Sequence, residues 1–295
     1  MCLPPLPALP VQEIPHPAFT ERGLRLSVLR TDLTHPYISG NKYFKLMGNL
    51  RQAKAEGHCT LITFGGAYSN HLTAFAAAGA LCGFKTIALV RGEETLPLNP
   101  VLSFAKKQGT EVHYISRTEY RNKHLPEFAE ELAARFGRHF LIPEGGSNIY
   151  ALEGCRQIIQ PGHLFNYNHI ALACGTGGTM AGIISGVQGR VPVTGFPVLK
   201  QGEFIGGEIR SLLSAAGEPD PGNWDLQTGY HFGGYAKIPT LLEVFMTEFT
   251  KNYNIPLEGV YTGKLMAGLV DLANNNGFQH GTSVLAIHTG GVFSF

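Results

Sequence analysis

Lys42 follows a Ser39-Gly40-Asn41 turn and stands at the head of a helical stretch. A lysine fixed this way can do imine chemistry, because a neutral amine attacks a carbonyl carbon. A surface lysine opening a helix has the same local pattern, so spacing alone does not decide between them. Three later segments add weight. Gly65-Gly66-Ala67-Tyr68-Ser69-Asn70-His71 lies where an apolar run meets a helix. Exposed N–H groups at a helix start attract anions, and a substrate carboxylate is the natural guest. Ser69 by itself is also explained as an ordinary cap. Cys174-Gly175-Thr176-Gly177-Gly178-Thr179 follows another apolar run and opens another helix. Its glycines admit an anion close to the backbone, and the helix start supplies N–H donors and a positive dipole end. The fourth segment is Gly259-Val260-Tyr261-Thr262-Gly263-Lys264.

Other chemistries fail on these residues. Met180 occupies the place of the third glycine of a dinucleotide fingerprint, and no acidic residue follows at the expected distance. Gly259–Lys264 is one residue short of a Walker A loop, and Leu265 replaces its Ser or Thr. There is no G-x-S-x-G elbow, no H-E-x-x-H and no close cluster of metal-ligand types, so no metal is expected.

The elements that must position these residues alternate strand and helix. Residues 1–20 read as an irregular arm, and 24–30 alternates like a strand. The spacing predicts a helix over 42–56, a strand over 59–64, a helix from the Ser69 cap to Ala80, and a strand over 86–90. Helix 100–108, strand 111–115, helix 125–136 and strand 140–143 repeat the unit. Residues 169–173, 179–188 and 191–196 carry the same signature. Such alternation implies parallel β-α-β units. The expected architecture is α/β, with two layers of unequal size and a cleft between them.

The 295 residues suit one large or two coupled domains. The net charge is +1 with dispersed Lys and Arg, which argues against a nucleic-acid surface. No uncharged apolar run is long enough for a membrane span, and the proline-rich start is not a signal peptide. The five cysteines are widely spaced without C-x-x-C, so neither a disulfide framework nor a zinc site is expected and a reducing cytoplasm is the default.

Together the four segments resemble, in order, the pyridoxal 5'-phosphate (PLP) enzymes of the tryptophan synthase β-like class (fold type II). The nearest branch in resemblance is the 1-aminocyclopropane-1-carboxylate deaminase / D-cysteine desulfhydrase family. The resemblance runs from Leu24 to Gly291 and includes Pro143-Glu144-Gly145-Gly146-Ser147-Asn148 and His288-Thr289-Gly290-Gly291. It implies a large domain of residues 1–50 plus 153–295 and an inserted small domain of 51–152. It also implies that Lys42 carries PLP as an imine and that Lys45 lies at the phosphate with Gly175, Thr176, Gly177, Gly178 and Thr179. Asn70 would contact the phenolic oxygen, and Ser69 with Asn70 and His71 would hold the substrate. Tyr261 would face the substrate, and Thr262 would meet the pyridine nitrogen.

Tyr235 best matches a second active-site tyrosine, with Tyr230 as the other alignment. Phe44 stands where relatives commonly have arginine, so a polar contact near the phosphate is expected to be missing. Deaminases tend to carry Glu where Thr262 stands, Leu where Thr289 stands and Gln where His71 stands, so the chain is similar to the desulfhydrase branch. The implied reaction is α,β-elimination from a small D-amino acid. Lys42 or Tyr261 would take the Cα proton, sulfide would leave, and aminoacrylate would hydrolyse to pyruvate and ammonia. Cyclopropane ring opening, elimination from another β-substituted amino acid, and a PLP-binding protein with little turnover are the alternatives. A homodimer acting on a small amino acid is expected, with no nucleic-acid or membrane partner.

Overall fold

The computed structural model describes residues 2–293 and contains two sheets. Ten strands run in chain order: β1 Val11–Glu13, β2 Arg25–Leu29, β3 Thr60–Gly66, β4 Lys85–Arg91, β5 Glu111–Ile115, β6 Phe140–Ile142, β7 His169–Cys174, β8 Val193–Pro197, β9 Trp224–Leu226 and β10 Ser283–Ile287. The larger sheet has the order β1-β2-β10-β7-β8-β9 and the smaller β5-β4-β3-β6. Every pairing is parallel except that of β1 with β2. Strands buried on both faces read as continuous apolar runs, as Ile170–Ala173 and Val284–Ile287 do.

Most element boundaries fall within two residues of those read from the sequence. Three readings need correction. The arm is not wholly irregular, because β1 and a short helix, Pro17–Thr20, lie within it. The central strand β10, which separates β2 from β7, was not read as an element, nor were β9 and the helices Arg117–Arg121, Ile149–Cys155, Pro161–Asn166, Phe204–Ala215, Thr240–Tyr253 and Thr262–Asn274. Cys2 and Cys82 are joined in a disulfide across 80 residues of sequence. The arm passes over the end of helix Asn70–Cys82, and sequence spacing cannot report that approach.

Helix Asn41–Ala55 carries Lys42. It packs on helix Ile149–Cys155 so closely that a Cβ at Gly154 would collide with the Phe44 carbonyl oxygen. Phe44 itself is fully buried in the main core. Lys42 and Lys45 are three residues apart and share a helix face, whereas residue 44 points elsewhere. Phe44 thus contributes no polar contact to the cleft.

The carboxyl ends of the strands in both sheets converge on one cleft of about 640 Å³. Its lining includes the segments after β3 and β6 from one sheet and after β7 and β10 from the other. Ligands of α/β folds bind in that position, beyond the strand ends.

Candidate active site

Lys42 lies on the cleft wall, half-buried, with Nζ 3.2 Å from Asn41 Oδ1. Burial and, next, the Lys45 charge bring its pKa down to about 7, against weaker opposing pulls from Cys155 and Glu258. At neutral pH a large share of this amine is free, as a nucleophile or proton acceptor requires.

Lys45 is buried, and its Nζ reaches Ser147 Oγ at 2.8 Å, Gly145 O at 3.1 Å and Thr176 Oγ1 at 3.4 Å. Ser147 and Thr176 hydroxyls are 2.6 Å apart. A buried ammonium beside two hydroxyls and a glycine-lined helix start is a donor set for a phosphate. A Cβ at Gly178 would lie 2.6 Å from Ser147 Oγ and 3.3 Å from Lys45 Nζ, so only glycine keeps this space open. The residues present fit the phosphate of PLP on that ground. Gly177 acts differently: its φ is +74°, and a Cβ there would meet Ile209 at 3.0 Å, on the hydrophobic side. Thr179 is buried and its hydroxyl accepts from Asn41 Nδ2 at 2.8 Å, which ties this loop to the turn before Lys42. Gly175 lies under the Tyr261 ring, where a Cβ would sit 3.0 Å from Oη.

Across the cleft, Ser69 caps helix Asn70–Cys82 by accepting from the His71 N–H at 3.3 Å. Ser69 and Asn70 both line the cleft. His71 lines the cleft with them and is itself buried. Thr63 donates its hydroxyl proton to Ile142 O at 2.8 Å, so it accepts from His71 Nε2–H at 2.8 Å. That bond leaves His71 Nδ1 unprotonated and without a protein partner. Burial, then Lys42 and Lys45, hold the ring neutral by pushing its pKa well below the usual value.

The third wall carries the tyrosines. Tyr235 and Tyr261 meet edge to face with centroids 6.4 Å apart, and both line the cleft. Tyr230 instead donates to Asp271 at 2.8 Å and packs on Phe196. Burial raises the Tyr261 pKa well above that of an ordinary phenol, so it stays a neutral donor. Thr262 is fully buried, and its hydroxyl accepts from the Glu258 N–H at 2.9 Å. It is not among the cleft-lining side chains. Thr289 does line the cleft, and its carbonyl accepts from the Asn41 N–H at 3.3 Å.

Ser147 was read from sequence only as part of a bordering turn, yet its hydroxyl lies 2.8 Å from Lys45 Nζ and 2.6 Å from Thr176 Oγ1. Glu258 was not singled out. Its carboxylate accepts from the N–H groups of Val260, Tyr261 and Thr262 at 2.8, 2.6 and 2.8 Å, and so fixes the backbone that presents Tyr261. An acid three residues before a tyrosine that opens a helix was the available signal. Among the described residues no group of His, Cys, Asp and Glu could hold a metal ion.

One cleft thus holds a largely neutral lysine amine, a buried ammonium among hydroxyls at a glycine-lined helix start, and a second, Ser-capped helix start. The model of the pyridoxal-phosphate-dependent enzyme family matches residues 8–290, and the chain belongs to that family. Within it, the relatives fall in the 1-aminocyclopropane-1-carboxylate deaminase / D-cysteine desulfhydrase group. A Pyrococcus horikoshii protein provisionally named 1-aminocyclopropane-1-carboxylate deaminase is 31% identical over 96% of this chain and 89% of its own. A Yersinia enterocolitica D-cysteine desulfhydrase is 29% identical over 91% of this chain and 87% of its own. The crystal structure of an ACC deaminase homologue superimposes with a TM-score of 0.81 at 29% identity, over 96% of this chain and 89% of that one. The fold is therefore the type II PLP fold, and no described helix is long and apolar enough to cross a membrane.

Proposed function

We propose that the protein catalyses α,β-elimination on a small β-substituted D-amino acid, D-cysteine in the simplest case, giving pyruvate, ammonia and sulfide. The observation that carries this reading is that Thr262, a neutral residue whose buried hydroxyl bonds to the Glu258 N–H, stands where by the family resemblance deaminases tend to carry Glu. PLP supplies an electron sink at Cα, and a carboxylate at its ring nitrogen would deepen that sink. Expelling a thiolate asks little of the sink, whereas opening a cyclopropane asks more. The carboxylate present on this turn, Glu258, has both oxygens bonded to backbone N–H groups.

The chain's own residues have separable tasks in this reading. The helix start at Ser69–Asn70 binds the substrate carboxylate. Lys45, Ser147 and Thr176 hold the phosphate. Lys42 takes the Cα proton, since its pKa of about 7 is matched to that transfer. The Tyr261 phenol keeps its proton and orients the leaving side by hydrogen bonding.

Cyclopropane ring opening is the second reading, favoured by the name of the Pyrococcus relative. Pyruvate from D-cysteine, measured beside 2-oxobutyrate from 1-aminocyclopropane-1-carboxylate, separates the two. Ring opening as fast as sulfide release would replace the elimination reading.

A further inference from the structure

The mouth of the cleft carries charge that the tasks above leave unused. Arg91 ends β4, lines the cleft and is exposed. In the sheet register it lies opposite Gly66, at the start of the turn that leads to Ser69. A Cβ at Gly66 would come within 3.6 Å of Arg91 Nη2, so the guanidinium lies against that turn. Its carbon stands 5.3 Å from the centroid of the Tyr120 ring, and among the described residues it has no ion pair. Lys123 sits over the same ring at 4.5 Å and is paired with Glu144 at 3.2 Å. Lys123, His124 and Glu144 also line the cleft. Lys123 and Glu144 offset each other, which leaves Arg91 as the uncompensated charge on this rim.

Glu208 lines the cleft from helix Phe204–Ala215, and among the described residues no ion pair joins it to Arg91.

A guanidinium has five N–H donors in a planar fork that matches a carboxylate or sulfonate. Its place over the face of the Tyr120 ring uses none of those donors. The helix start opposite Lys42 already has its own buried ammonium, Lys45.

We infer that Arg91 forms a distal anion subsite, so that the preferred substrates are amino acids whose β-substituent ends in an acidic group. This inference rests on the elimination reading. For a thioether substrate the step balances without an added reductant or oxidant. The Cα–H proton passes to Lys42, its electron pair forms the Cα–Cβ double bond, and the Cβ–S pair leaves with sulfur. The products are aminoacrylate, which water converts to pyruvate and ammonia, and a thiolate that takes up a proton.

The test uses the holoenzyme and a matched pair, S-carboxymethyl-D-cysteine and S-carbamoylmethyl-D-cysteine. The pair differs in charge and scarcely in shape. Wild type should favour the acid by about tenfold in kcat/KM, and Arg91→Met should bring that ratio close to one, chiefly through KM of the acid. Arg91→Lys should keep part of the preference, since charge remains and the fork is lost. Equal rates for acid and amide in wild type, or a preference that survives Arg91→Met, would overturn the subsite. If neither thioether nor D-cysteine yields pyruvate, the elimination reading fails instead. Calorimetric binding of the same pair to the wild type and to Arg91→Met then still decides the subsite, by the presence or loss of the acid preference.

Discussion

With a pKa of about 7, half of Lys42 is the free amine at neutral pH, whereas a lysine at 10.5 holds roughly one part in three thousand. The gap corresponds to about 5 kcal/mol of preference for the neutral form. Burial is the larger cause and the like charge of Lys45 the next, so the perturbation to make is Lys45→Met. Removing a like charge favours the ammonium, and the Lys42 pKa should rise. The assay is the rate at which cofactor-stripped protein covalently captures pyridoxal between pH 5.5 and 9.5, followed by absorbance. Pyridoxal lacks the phosphate, so loss of the Lys45 phosphate contact does not confound the result. Wild type should reach half its maximal rate near pH 7, Lys45→Met at higher pH, and Lys42→Ala should show no capture.

Stability provides an independent sign check on the same group. Between pH 7 and 10.5 the unfolded chain binds a proton at this lysine that the folded chain does not, so wild-type stability rises with pH across that window. The benefit is complete above 10.5 and is lost as pH falls through 7. Lys42→Met should lack this rise, whose upper bound is the same figure of about 5 kcal/mol. A wild-type half-rise in capture above pH 9.5, or a Lys45→Met shift toward lower pH, would refute the account of burial plus like-charge repulsion.

Other expectations follow from particular contacts. Gly178→Val fills the space beside Ser147 and Lys45, so PLP should dissociate during dialysis while circular dichroism stays native. Glu258→Leu leaves three backbone N–H groups without their acceptor. It should lower stability by about 1–3 kcal/mol in a urea titration, and elimination should fall further because Tyr261 loses its fixed backbone. Tyr235→Phe should slow elimination more than Tyr230→Phe, because only the former lines the cleft; equal effects would discount the cleft assignment. Reducing the Cys2–Cys82 bridge opens a loop spanning 80 residues of sequence and should lower thermal stability, by up to about 4.5 kcal/mol on the loop-entropy scale. An unchanged melting temperature under reductant would show that the arm is held by packing alone.

The sequence by itself determined the alternation of strands and helices and the residues that gather in the cleft. Apolar runs such as Ile170–Ala173 are long enough to be buried strands, and glycine-rich turns after them mark helix starts. Ser69 and the Cys174–Thr179 loop were legible as helix starts from local backbone chemistry, whereas Lys42, Lys45 and Asn70 were singled out through the family resemblance. The tertiary structure decided what depends on approach between distant segments. Phe44 turned out to be core because the helix face, not sequence adjacency, selects what Lys42 and Lys45 share. Ser147 met Lys45 and Thr176 only when the turn after β6 approached the loop after β7. Tyr235 rather than Tyr230 reached the cleft because Asp271, on a distant helix, holds the other hydroxyl. The Cys2–Cys82 bridge, the β10 insertion and the unpaired Arg91 likewise arise from long-range packing, which residue spacing along a chain does not encode.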